Sequence, residues 1–167
     1  PPALCEAAVA GTARAAAALG LREGPVHAEV RVNEAGAWVI EAAARMIGGL
    51  CSRTLRFGAG VTLEELILMH ALGGDVAGLE RERRPAGVMM IPIPRAGILR
   101  EVHGLEEACA VPGVAEVTIT IALTQPVVPL PEGSQYLGFI FACGGSPGEV
   151  EAALREAHRR IRFVIEP

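Results

Sequence analysis

Glu29 and Glu41 are the residues whose type and spacing point most directly to chemistry. Residues 26–33 alternate: Val26, Ala28, Val30 and Val32 fall on one side of an extended segment, and His27, Glu29, Arg31 and Asn33 on the other. That is the pattern of a strand with one buried face. Residues 37–42 read as its partner. Between them, Glu34-Ala35-Gly36 suits a three-residue hairpin loop, a type I turn closed by a left-handed glycine. Such a loop sets Asn33 opposite Ala37 and therefore Glu29 opposite Glu41; a two-residue loop would shift the register. Two carboxylates on one sheet face repel each other unless positive charge stands between them. Mg²⁺ suits that place, because it takes hard oxygen ligands and keeps contacts to substrate phosphates. Arg31 and Arg45 add positive charge for a phosphate or carboxylate, Gly48 and Gly49 permit close backbone approach, and His27 shares the Glu29 face. The same residues equally suit a solvated sheet face on which Arg31 neutralises the pair, and pattern alone leaves both readings open. By strand parity Trp38 falls opposite Glu41, toward the core.

The elements that must position this hairpin follow from the flanking sequence. Residues 3–20 are Ala-rich and predict a helix, with Leu4, Ala8, Ala15 and Leu19 available to a core and Gly20 at its end. After the RMIGG segment, residues 45–49, Thr62 and Glu65 have the spacing of a capping box. They open a helix with Leu63, Leu66, Ile67 and His70 on one face, stopped by Gly73-Gly74. The charged run LERERR, residues 79–84, marks a boundary. Beyond it short strands separated by Gly and Pro are expected at 87–93, 97–103, 116–123 and 136–142. A short helix is expected at 105–110, and a last one starts at Pro147 with Glu149 and Glu151 in its first turns. Arg100, Glu101 and His103 read as structural residues at a domain seam, with a role in a substrate pocket as the alternative.

Composition narrows the class. Hydrophobic residues make up 51% and charged residues 20%, which argues against disorder. The net charge of -4 with no basic tract gives no surface for nucleic acid. The apolar runs are too interrupted to span a membrane, and the first residues lack the basic start and compact apolar centre of a signal peptide. Cys5, Cys51, Cys109 and Cys143 are isolated, with no CxxC spacing, as in a cytoplasmic protein with free thiols.

The run GPVHAEVRVNEAGAWVIEAAARMIGG, residues 24–49, resembles the closing motif of the ATP-grasp superfamily. There a helix leads into a strand with His-x-Glu, a short hairpin, a strand ending in Glu, and then Arg and a Gly pair. The resemblance implies that Glu29 and Glu41 hold Mg²⁺ or Mn²⁺ ions bridging the phosphates of ATP. It implies that Arg45 contacts a phosphate or an acyl phosphate intermediate, and that Gly48 and Gly49 shape the substrate loop. An Asn two residues after the second Glu is commonly a further ligand in this superfamily; here that position is Ala43. The EAAAR form is similar to the subgroup that ligates amino acids and related carboxylates, where two Glu serve. Further along, GVMMIPIPRAGILREVHGLEEA, VPGVAEVTITIALTQPVVPLPEGSQYLGFIFACGG and PGEVEAALREAHRRI resemble the C-terminal domain of L-amino-acid-ligase-like and biotin-carboxylase-like members.

The implied fold is α+β. Residues 1–78 would form the C-terminal portion of an ATP-grasp domain, an antiparallel sheet with helices, and residues 79–167 a small α+β or partly closed barrel subdomain. The implied function is part of an ATP- and Mg-dependent carboxylate–amine ligase. The chain has no Lys and no glycine-rich phosphate loop. N-terminal and central lobes are therefore the expected partners, and the chain alone is expected to be inactive. A bicarbonate-activating enzyme of the biotin-carboxylase kind and a non-catalytic ligand-sensing module are the competing classes. The strand at 116–123 leaves an edge that a homodimer could use.

Overall fold

The computed structural model describes residues 2–167. The chain is α+β and divides into two compact units, Pro1–Arg81 and Glu82–Pro167. No closed barrel forms: the strands lie in small antiparallel sheets of two or three.

The first unit opens with α1 (Pro2–Ala18). Gly20, in the left-handed region at φ 76°, follows its end. Leu4, Ala8, Gly11, Thr12, Ala15 and Ala16 form its partly covered side, and the helix packs on the hairpin strand that carries Val39. Small residues allow that approach. Leu19, expected on the core face, lies beyond the helix and is 63% exposed. The hairpin consists of β1 (His27–Asn33) and β2 (Gly36–Ala43). A 3-10 turn (Cys51–Thr54), β3 (Arg56–Phe57), β4 (Val61–Thr62) and α2 (Leu63–Ala71) complete the unit. The capping box forms as the sequence predicts: Glu65 N–H donates to Thr62 Oγ1 at 3.1 Å, and Thr62 N–H donates to Glu65 Oε2 at 2.8 Å.

The second unit holds β5 (Ala86–Ile91), β6 (Gly97–His103), α3 (Leu105–Cys109), β7 (Val114–Ile119), β8 (Pro126–Val127), β9 (Gly138–Cys143), α4 (Pro147–Arg160) and β10 (Arg162–Glu166). One sheet runs β5-β9-β7 and the other β10-β6-β8. Central β9 is buried from Gly138 through Ala142, so its sequence GFIFAC reads as a continuous apolar run rather than an alternation. The α4 helix covers β5 and β9 with Val150, Ala153, Leu154 and Ala157, an i, i+3, i+4, i+7 stripe. The strand expected at 116–123 lies at 114–119, and β10 had no counterpart in the sequence reading. Its five residues follow α4 after Ile161 alone, and Ile165 is 1% exposed.

The two units differ in one respect that matters for the site. Every fully buried hydrophobic side chain among the described residues belongs to the second unit, from Ile91 to Ile165. In the first unit the single buried residue is Ser52.

Candidate functional site

The hairpin brings Glu29 and Glu41 directly opposite each other, by a route that differs from the expected one. The ladder pairs Asn33 with Gly36, Arg31 with Trp38 and Val30 with Val39, then shifts by one residue and pairs Glu29 with Glu41. Only Glu34 and Ala35 form the tip. Asn33 holds it by accepting the Ala35 N–H on Oδ1 at 2.9 Å, an Asx turn, and Gly36 takes a φ of 142° inside the ladder. The extra residue is Ile40, a β-bulge left 64% exposed. Bulging by one residue restores the pairing that a longer loop would have given.

The bulge also reverses the expectation for Trp38. Counted by parity, Trp38 and Glu41 fall on opposite faces. Arg31 lies two residues from Glu29 and so on its face, and Trp38 pairs with Arg31. Trp38 therefore shares the carboxylate face and is 57% exposed, not in the core. The adjacent Val39-Ile40, two apolar residues that interrupt the alternation, is the one signal in the sequence that marks the bulge.

Around the carboxylates, His27 Nε2 lies 3.9 Å from Glu29 Oε1, and Arg45 Nη2 lies 4.0 Å from Glu41 Oε1. Both glutamates are more than half exposed, and His27 is 23% exposed. These are open, loosely paired groups, available to a ligand and of little worth as surface ion pairs. Arg45 is steadied by donating from Nη1 to the Met46 carbonyl at 3.0 Å. Gly48 lies next to this guanidinium, and Gly49 adopts a left-handed φ of 62°. Ala43 pairs with His27 and supplies no ligand atom. No group of three or more His, Cys, Asp or Glu gathers at one point among the described residues. A cation at the pair would take two protein carboxylates and draw its other oxygens from water or phosphate, which is the habit of Mg²⁺.

Beside the hairpin foot lies an apolar cavity of about 510 Å³ within the same unit. His27, Met46, Ile47, Leu66, Ile67 and His70 are among its lining. The predicted apolar face of α2 thus looks into open space rather than a packed core. Nearby, Ser52 Oγ donates to Glu64 Oε1 at 2.5 Å. This bond and a backbone hydrogen bond at Glu64 itself, helped less by Arg56 and Arg53, hold the Glu64 carboxyl below its ordinary value against the opposing effect of burial.

In the second unit Arg100, the extra residue where β6 meets β10, donates from Nε to Glu166 Oε2 at 2.7 Å, and His103 bonds Glu101 at 2.6 Å. These side chains are engaged within their own unit.

Comparison with known proteins places both units. The ATP-grasp domain family matches residues 5–54, and the L-amino acid ligase C-terminal domain 2 family matches residues 89–166. The crystal structure of L-amino acid ligase from Bacillus licheniformis is similar with a TM-score of 0.81 at 30% identity, over 98% of this chain and 41% of that one. Phosphoribosylglycinamide synthetase from Anaerococcus prevotii shares the fold with a TM-score of 0.78 at 14% identity, over 99% of this chain and 43% of that one. N5-carboxyaminoimidazole ribonucleotide synthetase from Thermotoga maritima shares it with a TM-score of 0.65 at 18% identity, over 91% of this chain and 40% of that one. An uncharacterized protein, y4rH, of Sinorhizobium fredii (strain NBRC 101917 / NGR234) is 28% identical over 162 residues, which is 97% of this chain and 34% of that protein. The chain thus spans about a third of the length of the curated relative it matches. No helix of the described residues is long and apolar enough to cross a membrane.

Proposed function

We propose that this chain, which is similar to the C-terminal part of ATP-grasp superfamily proteins, supplies the metal-binding hairpin of an ATP-dependent carboxylate–amine ligase of the amino-acid ligase kind. The observation that carries the reading is the Glu29–Glu41 pair on an open sheet face with Arg45 4.0 Å from Glu41.

The carboxylates fit a divalent cation, because two opposed anions on one face are relieved by positive charge and both retain solvent-facing oxygens. Glu29 and Glu41 would hold Mg²⁺ or Mn²⁺, and the cation would neutralise charge on the phosphate oxygens of ATP. In the reaction a carboxylate oxygen of the first substrate attacks the γ-phosphorus, the bond to the bridging oxygen breaks, and ADP leaves with that electron pair. The amine of the second substrate then attacks the acyl carbon of the acyl phosphate and phosphate departs. Arg45 would stabilise the negative charge that develops on the phosphoryl oxygens. Gly48 and Gly49 let the chain pass close to the acyl end. None of these steps needs an enzyme nucleophile, so the four cysteines have no assigned part.

The remaining lobes of the ATP-grasp domain are the proposed partner. The first unit buries no hydrophobic side chain fully. It keeps an apolar cavity beside the hairpin and carries exposed Leu68 and Leu72 on and after α2. Residues 1–78 would complete the nucleotide site with those lobes, residues 79–167 would form the attached C-terminal domain, and the chain alone would be inactive. The work of such a ligase would be done in the cytoplasm, where ATP is available.

The test is ADP release by the longer protein that contains this chain, with Mg²⁺ and a panel of amino acids, other carboxylates and bicarbonate. ADP formed only with a particular carboxylate and amine, with stoichiometric product, supports the ligase. Release with bicarbonate alone assigns the carboxylase-like branch instead. Silence across the panel, with no metal binding at the pair, overturns the catalytic reading.

A further inference from the structure

The residue that the first unit buries most deeply, Ser52 at 3% exposure, carries a hydroxyl. Burying a hydroxyl costs free energy unless it is hydrogen-bonded. Its partner is the Glu64 carboxylate, which accepts from Oγ at 2.5 Å. The bond joins two elements that are each held by other means. Glu64 is the second residue of α2, and the Thr62–Glu65 capping box fixes that end of the helix without it. Ser52 belongs to the 3-10 turn Cys51–Thr54. There Thr54 Oγ1 donates to the Cys51 carbonyl at 2.8 Å, and Arg56 Nη1 donates to the carbonyls of Arg53 at 3.2 Å and Leu55 at 2.8 Å. The turn is thus tied as one body and the helix end as another, and Ser52–Glu64 couples them.

The turn directly follows the segment that carries Arg45. That segment leaves β2 at Ala43, whose carbonyl accepts the Arg45 N–H at 2.8 Å, and enters the turn at Leu50, whose carbonyl accepts the Arg53 N–H at 3.1 Å. In between, Gly48 and Gly49 have no side chains to anchor, and Met46 and Ile47 border the apolar cavity. A segment backed by open space gets little positioning from packing. Its course is set by its two ends: the strand that bears Glu41, and the turn that Ser52 fastens to α2. We propose that Ser52 and Glu64 are positioning residues for the ligase reaction, whose bond holds the far end of the Arg45–Gly49 segment and so keeps the Arg45 guanidinium in place beside the carboxylate pair. This rests on the reading above, in which Arg45 meets the charge that develops on the phosphoryl oxygens. A carboxylate acceptor suits the task, because a hydrogen bond to an ionised partner is shorter and stronger than one between neutral groups. Displacing a reacting-site group by about 1 Å costs a rate up to about 100-fold, so a tie made away from the chemistry still governs it.

The test uses the longer protein that contains this chain. Ser52→Ala removes one oxygen, and Glu64 is exposed, so neither Ser52→Ala nor Glu64→Ala opens a hole in a core. Hydrogen–deuterium exchange should quicken several-fold in peptides covering residues 46–51 of both variants and stay unchanged in α2, which keeps its capping box. General destabilisation would quicken both regions together, and that result overturns the proposal. In steady-state ADP release, kcat should fall about tenfold while KM for ATP stays within about twofold, the mark of an interaction made in the transition state. Glu64→Gln, which keeps an accepting oxygen, should recover most of the rate. Unchanged exchange at residues 46–51 in Ser52→Ala overturns the proposal, as does faster exchange with an unchanged kcat, while the ligase reading stands in either case. No ADP release from the unaltered protein with any substrate removes the ligase reading itself, and with it the reaction that this bond would serve.

Discussion

Glu29 and Glu41 are cross-strand partners on a ladder whose tip is set for a different pairing. Asn33 pairs with Gly36, and that count carried down the strands would place Glu29 against Ile40 and send Glu41 to the α1 side. The one-residue bulge at Ile40 is therefore what puts both carboxylates on one face. Deleting Ile40 should straighten β2 and yet keep Glu29 against Glu41, since the uninterrupted count then brings them together. An Hα–Hα nuclear Overhauser contact between the two glutamates in the deletion variant is the check. Inserting a residue at the tip while keeping Ile40 should break that contact unless the bulge is lost.

Glu41→Gln in the intact ligase should cost about 100-fold or more in turnover, because a neutral amide no longer offsets the cation's charge at the transferring phosphate. The fold should survive, since Glu41 is 54% exposed and its contact with Arg45 is long. Steady-state ADP release at saturating Mg²⁺ beside a circular dichroism spectrum measures both. Near-normal turnover at saturating Mg²⁺ would remove Glu41 from the mechanism.

The hairpin, the capping box at Thr62 and the last helix were legible because each follows from a local rule: alternation, a side-chain–backbone reciprocal bond, and an i, i+3, i+4 stripe behind Pro147. What escaped depended on partners far along the chain. Trp38 was placed in the core because parity assumes an unbroken ladder, and nothing in its own neighbourhood reports a bulge except Val39-Ile40. The short β10 escaped because Arg162–Glu166 has too few residues to show a period, and its pairing partner β6 lies across a helix and more. The apolar face of α2 was read correctly from its spacing, but spacing cannot tell a packed face from one that borders a cavity.

The Ser52–Glu64 bond makes a pH prediction. Glu64 titrates below its ordinary value of 4.5 in the folded chain, so the bond stabilises above that value and its contribution is lost as pH falls through the lowered one. Ser52→Ala should move the Glu64 midpoint back up toward 4.5 and flatten the acid limb of stability. Carboxyl-carbon chemical shifts followed against pH report the midpoint directly. An unchanged midpoint would mean the backbone hydrogen bond at Glu64 and the neighbouring arginines, not Ser52, hold it down.

Gly104 sits where α3 begins, in the left-handed region at φ 80°. A Cβ there would overlap the carbonyl oxygen of Arg160 at the end of α4. Gly104→Ala should destabilise the second unit by about 3 kcal/mol or more, the sum of backbone strain and a clash with a main-chain atom. Urea unfolding measured side by side with Gly148→Ala, a helical glycine with open space around it, gives the contrast. Equal midpoints would refute the steric account.

The confinement of all fully buried hydrophobic residues to the second unit has a consequence for anyone screening variants of this chain. A melting curve takes its cooperativity from buried apolar surface, so its midpoint follows the Ile91–Ile165 core. Substitutions at Glu29, Trp38, Ile40 or Arg45 would pass such a screen as silent, and a library ranked by melting temperature would be blind to the half that carries the proposed chemistry.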